Sequence, residues 1–175
     1  MNDPLRIYHY LTLSRARVLD AARPLTPDQH SQVFPIGFGT LLRTLTHVMM
    51  CEWMYARRIE RTTLPPYSHW PYHDETPPPL GTLIAAWAEQ AEHTRRTIAA
   101  VTDWQAPIEY RIPIPGTEDP GEKPQIITAT AADIFTQLAL HEVHHRAQAI
   151  NMLRQLGATV GDIDFNGYMY QRRDA

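Results

Sequence analysis

Apolar residues recur along this chain mostly at helical spacing, in four long stretches separated by segments where the pattern breaks. Ile7, Leu11, Ser14, Val18 and Ala22 form the first stripe, widened by Tyr8 and Leu19. Asp3 can cap it and Pro4 suits the first turn, so a helix is predicted from about Pro4 to Ala22. Pro24 and Pro27 end it, and residues 26–39 read as a connector with a short helical turn near Asp28 to Gln32. Thr40 can cap a second helix over Leu41 to Arg61. Leu41, Leu45, Val48, Met49 and Trp53 make its apolar face, and His47, Cys51 and Met54 lie on an adjoining stripe. Its basic end, Arg57, Arg58 and Arg61, suits the negative pole of the helix dipole and reads as a solvated terminus rather than an anion site. A third helix is predicted from about Pro79 to Asp103 on Leu80, Leu83, Trp87, Ala91, Thr94, Ile98 and Val101, with His93 off the stripe and expected at the surface.

Two segments break the pattern. Residues 62–79 interleave six prolines with Tyr67, Trp70 and Tyr72, which rules out regular helix or a central strand. A long loop of this kind is functional or disordered, and its aromatics argue that it packs onto something. Its histidines, His69 and His73, are expected at the surface. Between Pro107 and Thr128, Ile108, Tyr110, Ile112 and Ile114 alternate with polar residues and proline. Residues 116–123 are turn-like, and Gln125 to Thr128 can pair back, giving a small hairpin.

The fourth helix is the best marked. Thr130 and Asp133 have capping-box spacing, and Gly157 follows Leu156 where a left-handed cap is expected. Between them Ile134, Leu138, His141, His145, Gln148 and Met152 recur at spacings of four, three, four, three and four. This stripe is apolar at its ends and imidazole in its middle. Histidines four apart on a helix can reach one metal ion, and two on a buried stripe must otherwise each find a partner. His144 lies 60° from His141 on the side away from His145, so it is expected outside any ligand set.

Four amphipathic helices with short-period stripes predict an all-α four-helix bundle, one domain over residues 1–175, with the proline loop after the second helix and the hairpin before the fourth. Such bundles build metal sites from facing helices. A third ligand would come from another helix, and His47 is the histidine placed for it; a lone core histidine is the competing reading. Composition changes little in this picture. Hydrophobic residues are 43% and charged residues 20%, and the net charge of −3 gives no basic footprint for nucleic acid. The single cysteine, Cys51, excludes an internal disulfide and fits a reducing, cytoplasmic setting. No apolar run approaches membrane-spanning length, and the start of the chain lacks the pattern of a signal peptide.

The residues resemble the DinB/YfiT-like family of four-helix-bundle metalloproteins over nearly the whole chain. The resemblance rests on His47 with Glu52 and Trp53, and on His141, His145, Arg146 and Gln148, running on to Leu153-Arg154-Gln155-Leu156-Gly157. The family often has glycine after His-Arg; here Ala147 stands there. The resemblance implies one divalent metal held by His47, His141 and His145. It also implies a frequent dimeric state and, for characterised members, transferase or isomerase chemistry with a low-molecular-weight thiol. Zn or Ni leads among the metals, with Fe, Mn and Cu as further options. The expected function is therefore a metal-dependent enzyme acting on a small molecule, in a homodimer.

Around those ligands, Glu142 is a candidate base or ligand support, or a solvated residue. Arg146 is a candidate for an acidic group of a thiol cofactor or for a salt bridge, and Gln148 for a hydrogen bond beside the ligands. Cys51, one turn from His47, can approach the site but reads as an inert buried thiol. Two other classes remain open. A non-catalytic, metal-stabilised dimeric binding or stress protein needs no acid or base. A zinc peptidase would use the literal His141-Glu142-x-x-His145 pattern with Glu142 as base and a ligand from further downstream.

Overall fold

The computed structural model describes residues 3–112, 125–171 and 173. Six helices and one two-stranded sheet are present among them: α1 Pro4–Ala22, α2 Pro27–Ser31, α3 Leu41–Ile59, α4 Leu80–Ala100, β1 Pro107–Ile112, β2 Gln125–Thr130, α5 Ala131–Gln155 and α6 Phe165–Met169. Three of the four long helices begin where short polar side chains can satisfy free N–H groups, whereas α4 follows Pro79 with no side-chain cap. Asp3 accepts from Leu5 N, Thr40 from Arg43 N, and Thr130 with Asp133 forms a full capping box. α5 ends at a left-handed Gly157 (φ 80°), with Ala158 N donating back to Leu153 O.

Each long helix packs against two others: α3 against α5 and α4, and α1 against the same two. The bundle is therefore a ring in which α1 lies diagonal to α3. One core region gathers Val18, Leu45, Met49, Leu83, Trp87, Met152 and Leu153. The other gathers Tyr8, Leu11, Tyr55, Ile98, Ile134, Phe135 and Leu138. A charged layer joins the helices between them. Arg15 of α1 bridges Glu52 of α3 and Glu142 of α5, Glu52 also accepts from Tyr8 Oη and Trp87 Nε1, and the Arg15 guanidinium lies 4.3 Å from the Trp87 ring. β1 and β2 pair antiparallel, Pro107 opposite Thr130 and Ile112 opposite Gln125. Ile114 and the expected turn over 116–123 lie outside the described residues.

The observed bundle has the predicted helices, with shorter ends. α3 stops at Ile59 because Arg61 adopts a left-handed backbone (φ 60°) and Thr62 N turns back to Arg57 O. α4 stops at Ala100 because Val101 is extended. The segment after α5 contains α6. Phe165 packs edge-on to Tyr10, Arg6 donates to Met169 O, and Tyr10 Oη donates to Ile163 O. His93, expected at the surface, is half-buried because Glu60 accepts from its Nε2 at 2.5 Å. His69 is exposed, whereas His73 is half-buried against Trp70 O. No helix among the described residues is long and apolar enough to cross a membrane.

Candidate metal centre

His47 projects from the middle of α3, and His141 and His145 from successive turns of α5, where the two helices pack side by side. Their ring centroids are 4.4 Å apart for His141 and His145, 4.9 Å for His47 and His145, and 5.0 Å for His47 and His141. One nitrogen from each lies within 4.8 Å of the other two, and the Nε2 atoms of His47 and His141 are 3.1 Å apart. Imidazole nitrogens about 2.0–2.1 Å from a tetrahedral metal are roughly 3.4 Å from one another, so the donor set fits one ion with little rearrangement.

The far nitrogens of two rings are held. Asp74 Oδ2 accepts from His47 Nδ1 at 2.7 Å, and Gln148 Oε1 lies 2.8 Å from His145 Nδ1. A proton fixed on Nδ1 leaves the Nε2 lone pair free to point into the cluster. Burial also favours neutral rings. His141 is pushed down to about 3, by burial first and then by the neighbouring imidazoles. His47 and His145 are lowered too, again chiefly by burial, which outweighs the opposing pull of the Asp74 hydrogen bond on His47. The cluster is thus a set of neutral nitrogen donors at neutral pH.

Asp74 is the site residue that periodicity does not reveal. It is buried, and it comes from the proline loop 27 residues beyond His47. The loop is fastened by Arg43 Nε donating to Asp74 O, by Trp70 against Trp53 at 5.3 Å, and by Tyr67 Oη donating to Glu75. The only sequence signal was a long loop with aromatics and an acidic residue. Phe38 was also missed. Its ring stacks on His47 at 3.8 Å, in a turn whose flanking Gly37 and Gly39 are both left-handed. A Cβ on Gly37 would sit 2.3 Å from Gln148 Oε1, so a glycine there lets the turn close over the amide that holds His145.

The other candidates separate clearly. Gln148 bridges two imidazoles, since its Nε2 donates to His144 Nε2 at 3.1 Å while its Oε1 meets His145. His144 is exposed and outside the three-histidine group. Cys51 Sγ reaches 3.5 Å from His47 Nε2, but burial, with Asp74 nearby, pushes its thiol up to about 12. It remains a neutral thiol. Glu142 is not solvated. It is 3% exposed, its carboxylate accepts from Arg15 Nη2 at 2.6 Å and from Nε, and burial raises its pKa despite that partner. A peptidase base must face water at the metal, and Glu142 instead faces α1 in the core. Arg146 is buried, donates to Tyr10 Oη at 2.9 Å and makes no salt bridge among the described residues.

No match was found among curated proteins. The family model described as DinB family matches residues 1–174. With a helical bundle and a three-histidine cluster that fits a metal-dependent protein of this type, the chain belongs to the DinB family.

Proposed function

We propose that His47, His141 and His145 hold one divalent transition metal, and that this chain is a metal-dependent enzyme acting on a small molecule with a low-molecular-weight thiol as cosubstrate. The observation that carries the reading is the convergence of three neutral imidazoles from two helices, two of them fixed from behind by Asp74 and Gln148. Three protein ligands would leave coordination positions open, as catalytic sites do and closed structural sites do not. When bound, such a metal supplies Lewis acidity that lowers the pKa of a coordinated thiol or water. Among the described residues none at the cluster is a ready nucleophile: Cys51 stays protonated and Glu142 is committed to Arg15. An external thiol in a transferase or isomerase reaction meets that need.

Zn and Ni are the leading metals for three imidazoles, ahead of Fe, Mn and Cu. A homodimer is the proposed working form. The exposed Leu140 and Val143, one turn apart on the outer side of α5, are compatible with it. Elemental analysis of the purified protein, then a screen of small thiols with electrophilic substrates on the native metal form, tests the enzymatic reading. About one metal per chain with thiol-dependent turnover is expected. A stoichiometric metal with no turnover and no metal exchange would favour a metal-stabilised binding protein instead. Light scattering at several protein concentrations tests the dimer.

A further inference from the structure

Beyond the three-histidine cluster, the C-terminal end of α3 and strand β1 enclose a cavity of about 400 Å³. Among the described residues Arg58, Arg61 and Arg111 line it, with Thr62 and Thr63, against a single carboxylate, Glu109. The protein as a whole carries −3, so this is a local reversal of sign. We propose that the cavity is a binding site for an oxyanion, the carboxylate or phosphate group of a small ligand.

Arginines at a helix C-terminus ordinarily offset the helix dipole, and Arg57 can be explained that way. Three features of the cavity cannot. Arg111 comes from a strand and owes nothing to the dipole. Arg58 is half-buried, and its Nε is buried with no hydrogen-bond partner among the described residues. A buried unpaired guanidinium donor is destabilising unless a ligand or water completes it. The Arg58 guanidinium lies 4.3 Å from the Tyr110 ring, a contact that orients its planar fork. That fork matches two oxygens of one oxyanion. Third, Arg61 occupies the left-handed position (φ 60°) that ends α3, where glycine is the ordinary residue. A side chain there crowds Cβ against the following carbonyl oxygen and is strained. Here Arg61 Nη1 donates to Pro107 O, which ties the guanidinium to the start of β1 at the cavity edge. The hydroxyls of Thr62 and Thr63 add neutral donors.

The test is calorimetric titration at low ionic strength with inorganic phosphate in one arm and succinate in the other, on the protein as purified and after chelator treatment. One saturable site per chain is expected for at least one anion, weakened by added salt and present in both preparations. The arm that binds names the ligand's anionic group. The Arg58→Gln/Arg111→Gln double variant should bind at least tenfold more weakly. Arg95→Gln, on the exposed side of α4 and paired with Glu92, should bind as wild type. Should the double variant fold poorly, Arg111→Gln alone, at an exposed rim position, should still weaken binding at least threefold. Absence of saturable binding of either anion would overturn the proposal, as would unchanged affinity in the arginine variants. Binding that disappears with chelator would place the anion on a metal and overturn it as well.

Discussion

A histidine nitrogen binds metal only if its lone pair is free and aimed, and Asp74 and Gln148 impose both conditions from behind the rings. Asp74→Asn should keep a hydrogen-bond acceptor near His47 but remove the negative charge. It is predicted to weaken metal binding about 10- to 100-fold while leaving the melting temperature of the metal-free protein close to wild type. Competition with a chromogenic chelator measures this directly, and an unchanged affinity would reduce Asp74 to a loop fastener. The ligands themselves are separable in the same way. His47→Ala should lose metal as severely as His145→Ala, whereas His144→Ala should retain it, because His144 is exposed, stands outside the three-histidine group and meets it only edge-on at the His145 ring and through the Gln148 amide. Elemental analysis of the three folded variants decides the matter. A full complement of metal in His47→Ala would mean that α3 contributes no ligand.

At the scale of elements, α1 contributes no histidine to the cluster, yet it is tied to α3 and α5 through one buried guanidinium. Two carboxylates share Arg15, and Glu52 takes two further donors. Removing the cation from this layer leaves two acidic groups in the core without compensation. Arg15→Ala is therefore predicted to destabilise the fold by roughly 3–5 kcal/mol in denaturant titrations at neutral pH. A loss below about 1 kcal/mol would show that water or a rearranged side chain takes over. The same elements show what a linear pattern can carry. The stripe through His141 and His145 was legible because a helix repeats every 3.6 residues, and caps at Thr130 and Gly157 fixed its ends. His47 was legible because it stands beside an apolar face. Arg15 sits on the first helix beside Ser14, and nothing in periodicity marks a buried cation whose partners are on other helices. Asp74 and Phe38 belong to irregular segments, where position depends on tertiary packing that local spacing does not encode. Glu142, which the sequence leaves open as a base, a ligand support or a solvated residue, is buried against Arg15 for a reason periodicity does not carry, since each explains the other's burial.

For the whole molecule, a metal on His47, His141 and His145 would join α3 to α5 across 94 residues of chain, and its binding energy would add to the stability of the fold. The histidines impose a pH dependence even without it. Burial and the neighbouring imidazoles push His141 down to about 3 from its ordinary 6.5, and His47 and His145 are lowered in the same sense. With depressed folded-state values, the unfolded chain binds more protons than the native one as pH falls below 6.5. Stability is then fully present above about 6.5 and is lost progressively toward about 3. Metal binding acts in the same direction, because protons compete for the same nitrogens. Melting curves with and without chelator, from neutral pH down to about 4, should therefore show a large chelator effect at neutral pH that shrinks as the solution is acidified, until the two curves coincide. In His47→Ala the neutral-pH difference should be small from the start, while the metal-independent acid sensitivity from His141 and His145 remains. A chelator effect that grows as pH falls, or one of undiminished size in His47→Ala, would contradict ligation by these three residues and leave their shared burial as a feature of packing alone.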